Sequence, residues 1–198
     1  MEKFICVGKN YVEHAKELGD AVPDKPVLFL KPPSAACVIG NGEQGKVKLP
    51  KNRGIVHYEC EIILRLNAKA QIEAVSLGLD MTLRDAQIDL KRQGHPWELA
   101  KVFKDSAVVG PWIPIGDFPD YLDETFTFSL EGVVRQKAKG REMRTPPQAC
   151  LEYAQQMFPI LTGDIMFTGT PVGVGGVVAG QKGEIRWGDH LNYEVIFE

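Results

Sequence analysis

The run His57-Tyr58-Glu59-Cys60-Glu61-Ile62-Ile63-Leu64 sets two carboxylates two residues apart in text that otherwise reads as a β-strand. Side chains two apart on a strand share a face, so Glu59 and Glu61 project side by side, with His57 on the same side. Adjacent carboxylates repel, and an apolar strand carries such a pair on one face only where that face is wet or a cation neutralises it. Glu-x-Glu is a common string on solvated sheets, so spacing alone leaves both readings open. Oxygen donors of this kind suit a hard dication such as Mg²⁺, Mn²⁺ or Ca²⁺ better than zinc. A third acid, Asp80, stands where an apolar run meets a helix start in Leu79-Asp80-Met81-Thr82, from which a carboxylate can reach a site at the end of a sheet.

Around these acids lie groups suited to binding and proton transfer. Arg84 and Gln87 are three apart, share a helix face and can point at whatever Asp80 helps to bind; a guanidinium is a natural clamp for a carboxylate. The plain alternative is an ordinary amphipathic helix with Asp80 near its N-cap. His14 and Glu17 are also three apart, and a carboxylate beside an imidazole fixes its tautomer and raises its basicity, as activation of a water requires. A surface His-Glu pair has the same spacing. Lys31 follows an apolar strand and precedes two prolines, and Lys101 interrupts the run Trp97 to Phe103; each is either an edge-strand snorkeller or a buried cation with an anionic partner. The glycine-rich stretch Thr168 to Gly176 lacks the Gly-Lys-Ser/Thr ending of a phosphate loop, and no Gly-x-Ser-x-Gly elbow occurs, which argues against nucleotide binding and a serine hydrolase.

The elements that must position these groups read as mostly strands. Expected strands cover Phe4 to Val7, Val27 to Leu30, Lys46 to Pro50, His57 to Leu66 and Glu73 to Met81, then Leu99 to Phe103 and Ala107 to Val109 as buried sheet. Further strands are expected over Thr125 to Leu130, Val133 to Gln136, Asp164 to Thr168, Glu184 to Trp187 and Leu191 to Phe197, with Glu131-Gly132 as a hairpin turn and Gly169 to Gly176 as a glycine-rich turn. About three helices complete the pattern. One runs from Tyr11 to Leu18; a second spans Thr82 to Gln93, with Thr82 able to cap it and Gly94 to stop it; a third opens at Thr145-Pro146-Pro147 and recurs on one face at Cys150, Tyr153, Ala154 and Met157. The fold class is α+β and strand-dominated.

Composition narrows the function. The 198 residues are 44% hydrophobic and 25% charged, which fits one folded domain, 1–198, with a sizeable core. Lys plus Arg total 23 against 26 for Asp plus Glu, and neither sign gathers into a block, so nucleic acid is a poor partner. The longest apolar runs are strand-sized, which predicts no membrane span, and the amino terminus enters an apolar strand without a secretory leader pattern. Four separated cysteines without a CxxC pair fit reduced thiols and a cytoplasmic setting.

Taken together, the strings Val7-Gly8-Lys9-Asn10-Tyr11 with His14, Phe29-Leu30-Lys31-Pro32, His57 to Glu61, Leu79 to Thr82 with Arg84-Asp85, Leu99-Ala100-Lys101, and Thr168-Gly169-Thr170-Pro171 with Gly173-Val174-Gly175 resemble the fumarylacetoacetate hydrolase family. The likeness spans nearly the whole chain and is nearest to its short acylpyruvate hydrolase and oxaloacetate decarboxylase members. The resemblance implies a mixed β-roll, a homodimer, and Mg²⁺ or Mn²⁺ held by Glu59, Glu61 and Asp80, with Ca²⁺ able to substitute. It implies a short helix supplying the pair His14 and Glu17, pocket lysines at Lys31 and Lys101, and substrate contacts from Arg84, Gln87 and Thr170. The implied activity is C–C bond hydrolysis or decarboxylation of small 2-oxo acids through a metal-stabilised enolate, with an isomerase or tautomerase of 2-oxo dicarboxylates, or a non-catalytic metal-stabilised binding protein, as alternatives. The segment between Glu61 and Asp80 is shorter than is usual for short hydrolases, which would tighten or remove a hairpin behind the metal site.

Overall fold

Strand Cys60–Leu66 runs antiparallel to Ile72–Asp80 with Cys60 opposite Leu79, and this pairing brings the end of one strand that carries acids beside the end of the other. The computed structural model describes residues 2–17, 19 and 23–198. These two strands are the centre of an eight-stranded mixed sheet in the order Val27–Lys31, Phe4–Gly8, Ile165–Phe167, Cys60–Leu66, Ile72–Asp80, Ala107–Val109 and Ala36–Val38, with Ile113–Pro114 pairing onto Ile72–Asp80. Phe4–Gly8 pairs parallel with Ile165–Phe167, and Ala36–Val38 parallel with Ala107–Val109. A five-stranded sheet follows the order Val133–Lys139, Thr125–Leu130, Lys182–Trp187, Leu191–Phe197 and Gln44–Val47. A third sheet of three short strands joins Gly175–Val177, Val56–Tyr58 and Thr82–Leu83.

Both faces of the large sheet are covered, which explains why Ile62-Ile63-Leu64 is continuously apolar rather than alternating. Ile62 and Leu64 face a core shared with Phe126, Phe128, Trp187, Val195 and Phe197 of the second sheet, while Ile63 packs with Phe4, Phe167 and Val109 on the opposite side. The short Glu61 to Asp80 segment keeps its hairpin and makes it tight: Asn67 Oδ1 accepts the backbone N–H groups of Lys69 and Gln71 at 2.8 and 3.0 Å. At the other hairpin, Glu131 and Gly132 have φ of 51° and 74°, the paired positive values of the turn type whose twist matches two flanking strands.

Among the described residues, four α-helices connect the sheets: α1, Val12–Glu17; α2, Arg84–Gln93; α3, Glu98–Lys101; and α4, Pro147–Met157. The expected end of the first helix at Leu18 lies outside the described residues. Gly94 ends α2 as expected, with φ of 68° and its N–H returned to the Leu90 and Lys91 carbonyls. Three expectations are corrected. Residues 99–103 are not a strand: α3 is one helical turn in which Ala100 and Lys101 donate to the Trp97 carbonyl, and Leu99 stands exposed, as a buried strand residue would not. Thr82 does not cap α2; it pairs with His57 in the small sheet, and Leu83 takes the N-cap position without a side-chain bond. On α4, Cys150, Leu151 and Ala154 are buried while Met157 is exposed at the last turn. No helix among the described residues is long and apolar enough to cross a membrane.

Candidate active site and metal centre

The ladder breaks at Glu59, between Val56–Tyr58 and Cys60–Leu66, and the Asp80 N–H is received by the Glu59 carbonyl at 2.9 Å. The break and the register carry three carboxylates inward. Ligand oxygens of Glu59, Glu61 and Asp80 lie within 4.8 Å of one another, and all three residues are buried. They form the floor of a cleft whose walls include Val7, Gly8, His14, Phe29, Arg84, Gln87, Trp97, Lys101 and Thr170.

Cations of the chain partly neutralise this floor. Lys101 spends its three N–H bonds on Glu59 Oε2 at 2.8 Å, Asp80 Oδ2 at 2.7 Å and Thr82 Oγ1 at 2.7 Å. Arg84 Nη2 pairs with Glu59 Oε1, its Nη1 donates to Gln87 Oε1 at 2.5 Å, and its Nε lies 3.5 Å from His57 Nδ1. Burial acts to lower Lys101, but the Asp80 and Glu59 charges outweigh it and hold the ammonium above its ordinary range. For Glu59, burial acts upward and is overcome by Lys101 and Arg84, so this carboxyl sits far below its usual value. Glu61 goes the other way. Burial, then the neighbouring Asp80 and Glu59 charges, push it well up, against a 2.7 Å hydrogen bond from the Gly169 N–H and the nearby Lys101 charge.

That contact depends on Gly169. Its φ is +99°, and a Cβ there would meet the Asn10 Cβ at 2.7 Å. Asn10 is itself buried, donating to the Thr168 and Thr145 carbonyls at 2.8 and 2.9 Å and accepting the Thr145 N–H at 2.9 Å. Over the cleft, α1 holds His14 with Nδ1 2.9 Å from Glu17 Oε2, and Glu17 Oε1 accepts the Gly173 N–H at 3.0 Å.

A family model described as fumarylacetoacetate hydrolase C-terminal matches residues 3–197. The chain belongs to the fumarylacetoacetate hydrolase family, and it is an enzyme of that family. It is 34% identical over 201 residues to the oxaloacetate tautomerase of Escherichia coli (strain K12), covering 96% of this chain and 90% of the relative. To the mitochondrial oxaloacetate decarboxylase of Dictyostelium discoideum it is 31% identical, covering 90% and 85%. The crystal structure of fumarylpyruvate hydrolase from Pseudomonas aeruginosa, in complex with Mn²⁺ and pyruvate, superposes with a TM-score of 0.91 at 29% identity, covering 100% of this chain and 89% of that one. The strand-dominated fold expected from the fumarylacetoacetate hydrolase resemblance is the fold observed.

The acidic floor fits the hard dication that the family resemblance implies. Its donors are all carboxylate oxygens. Among the described residues, Glu61 has no cationic hydrogen-bond partner and Asp80 Oδ1 is a buried side-chain oxygen left without a hydrogen bond. Lys31 Nζ stands 2.5 Å from that oxygen, but at an angle that makes an ion pair and no hydrogen bond.

Of the residues singled out in the sequence, Glu59, Glu61, Asp80, His14, Arg84, Gln87, Lys101 and Thr170 are brought together around one cleft. Lys31 is not among its lining. Its ammonium lies behind Asp80, donating to the Ser106 and Met81 carbonyls at 2.6 and 3.2 Å. Glu17 is exposed and reaches the cleft through His14. The sequence assigns no site role to Trp97 and Phe29, which close one wall with ring centroids 5.7 Å apart, or to the buried amides of Asn10 and Gln136. Pro96-Trp97 just after a helix stop was the available signal for the first; a lone Asn or Gln carries none.

Proposed function

We propose that this enzyme acts on small 2-oxo acids with Mg²⁺ or Mn²⁺ held by Glu59, Glu61 and Asp80, and that its reaction is keto–enol interconversion of oxaloacetate. One observation carries the reading: three buried carboxylates converge on the floor of the same cleft that His14 enters with one ring nitrogen engaged by Glu17. The names of the Escherichia coli and Dictyostelium relatives support oxaloacetate as the substrate.

With Glu17 accepting at Nδ1, the second imidazole nitrogen is the one available to exchange a proton. His14 takes a proton from C3 of the keto acid, and a proton returns to the 2-oxo oxygen; nothing is added or lost. A dication at the three carboxylates supplies positive charge that favours the oxyanionic form of the substrate. Lys101 stays protonated and fixes Glu59 and Asp80, while Lys31 braces Asp80 from behind. Arg84 and Gln87 contact the carboxylate and oxo groups, and Thr170 faces the hydroxyl of the enol form.

A second reading, hydrolysis of an acylpyruvate, is supported by similarity to the Pseudomonas fumarylpyruvate hydrolase and uses the same His14 and Glu17 to activate a water. A spectrophotometric panel with Mg²⁺, including oxaloacetate, acetylpyruvate and fumarylpyruvate, tests both. Enol–keto conversion of oxaloacetate above the uncatalysed rate is the expected result. Turnover of the acylpyruvates alone would replace the first reading with the second, and inactivity on all three would remove both.

A further inference from the structure

We propose that Gln136, on the second sheet, is a positioning residue for the active site: it locks the Glu59–Cys60 peptide group, between the two glutamates proposed to hold the metal, and fixes the direction in which the Thr170 hydroxyl hydrogen-bonds. Gln136 is fully buried in a strand whose neighbours Val134, Arg135 and Lys137 are exposed. The pairing of Val133–Lys139 with Thr125–Leu130 shifts at this point, Phe128 lying opposite Gln136 and Ser129 opposite Val134, so that Arg135 is an extra residue. Bulges of this kind re-aim a side chain. Here the amide is aimed out of its own sheet at the site.

Its partners show what it does there. Strand Ile165–Phe167 pairs with Cys60–Leu66 only as far as Phe167 opposite Ile63. Beyond that point the Ile62 carbonyl accepts both the Thr168 N–H at 3.2 Å and the Thr168 hydroxyl at 2.7 Å, and the Gly169 N–H goes to the Glu61 carboxylate. The two peptide groups that flank the Cys60 α-carbon are then each held: the Glu59–Cys60 peptide donates its N–H to Gln136 Oε1 at 2.9 Å, and the carbonyl of the Cys60–Glu61 peptide accepts from Thr170 Oγ1 at 2.9 Å. Cys60 is the residue between Glu59 and Glu61, so whatever fixes its backbone sets the relative aim of the two carboxylates.

The orientation of the amide is decided by chemistry. Cys60 N–H can only donate and the Pro171 carbonyl can only accept, so Oε1 faces the first and Nε2 the second, at 2.8 Å. The other Nε2 hydrogen goes to Thr170 Oγ1, also at 2.8 Å. Thr170 therefore receives from Gln136 and gives its own hydrogen to Cys60. A hydroxyl has one hydrogen and two lone pairs, so what Thr170 retains for the cleft it lines is a lone pair. It accepts from a hydroxyl, such as that of an enol, and has no hydrogen left to offer a carboxylate. This last step rests on the proposed keto–enol reaction; the hold on Cys60 does not.

The test is Gln136→Met, which keeps the volume and removes the hydrogen bonds. Mn²⁺ affinity of the folded protein, measured by electron paramagnetic resonance, is expected to fall roughly 10–100-fold, and kcat for oxaloacetate by a similar factor. In a cycle with Thr170→Val, the double variant should lose no more kcat/KM than the worse single variant, because both act through one hydrogen-bond chain. A lowered melting temperature with wild-type Mn²⁺ affinity and kcat would make Gln136 a structural residue and overturn the proposal, as would additive losses in the cycle. If the Met variant does not fold, Gln136→Glu keeps the acceptor for Cys60 and loses the donor to Thr170 and Pro171. Near-wild-type Mn²⁺ affinity with a lowered kcat/KM that Thr170→Val does not lower further is then expected, and additive losses would overturn the proposal; failure of both to fold would make Gln136 a folding residue instead. Wild-type inactivity on every 2-oxo acid would remove the proposed reaction and leave the Mn²⁺ measurement to decide Gln136.

Discussion

His14 is fixed by Glu17, Nδ1 to Oε2 at 2.9 Å, and Glu17 is in turn tied through its other oxygen to the Gly173 N–H, so the imidazole over the cleft is anchored to the loop that also carries Thr170. An imidazole held this way keeps one tautomer and offers the opposite nitrogen for proton transfer. His14→Ala is therefore expected to cut keto–enol interconversion, and any acylpyruvate hydrolysis, about 10²–10⁴-fold. Decarboxylation of oxaloacetate needs no base at that position and should fall far less. Equal losses in all three assays would show that His14 serves the fold of the cleft and not proton transfer.

Gly169→Ala should remove the support of Glu61. The residue at 169 needs φ near +99°, and the added methyl would press on Asn10 at the base of α1. Strain of this kind costs about 1–3 kcal/mol, and relieving it draws the 169 N–H away from Glu61. The expected result is a lower melting temperature together with weaker Mg²⁺ binding by calorimetry. Unchanged Mg²⁺ affinity in the variant would show that the 2.7 Å bond does not place the carboxylate.

How much of this site was legible depends on which interactions are local. His14 with Glu17 and Arg84 with Gln87 are pairs set by helix periodicity, and the sequence displays them directly; Glu59 and Glu61 were legible as acids two apart, although the continuous strand expected through them breaks at Glu59. Asp80 was legible as an acid at an element boundary. Lys101 was legible as an odd cation, but its helix was not, because Leu99, the apolar residue that suggested a strand, is exposed on a single turn stabilised by Lys101 itself. Gln136 was illegible for a different reason. Its partners Cys60, Thr170 and Pro171 are 76, 34 and 35 residues away, and only the packing of one sheet on another brings them into reach.

Asp164 predicts an acid-dependent loss of stability away from the active site. It accepts the Glu2, Lys3 and Leu161 N–H groups at 3.2, 3.1 and 2.9 Å and pairs with the Lys3 ammonium, joining the first strand to the one beside it. Burial acts to raise this carboxyl, and the Lys3 and backbone hydrogen bonds outweigh it, so the folded value lies below the ordinary one. A group depressed in the folded state contributes stability above its unfolded value, about 3.9, and that contribution is lost as pH falls through the lower folded value. Asp164→Ala should cost about 1–3 kcal/mol near neutral pH, and the gap to wild type should close in strong acid. Urea denaturation at several pH values measures it; a gap constant down to pH 2 would contradict the assigned role.

Lys101→Met separates the chain's own neutralisation of the acidic floor from that of a dication. The Lys101 ammonium touches both Glu59 and Asp80, so its loss strips two carboxylates of their shared counter-charge while Arg84 remains on Glu59 alone. Breaking a buried pair on one side costs about 3–5 kcal/mol, because the other charge stays buried. A ligand that binds only the folded form recovers more stability the tighter it binds, and a floor with more uncompensated negative charge binds a dication more tightly. The variant should therefore melt well below wild type in the presence of a chelator, gain more in melting temperature from millimolar Mg²⁺ than wild type does, and still turn over oxaloacetate more slowly, since Glu59 and Asp80 lose the fixed donor that aims them. If Mg²⁺ shifted both proteins equally, the three acids would not be acting as one cation site.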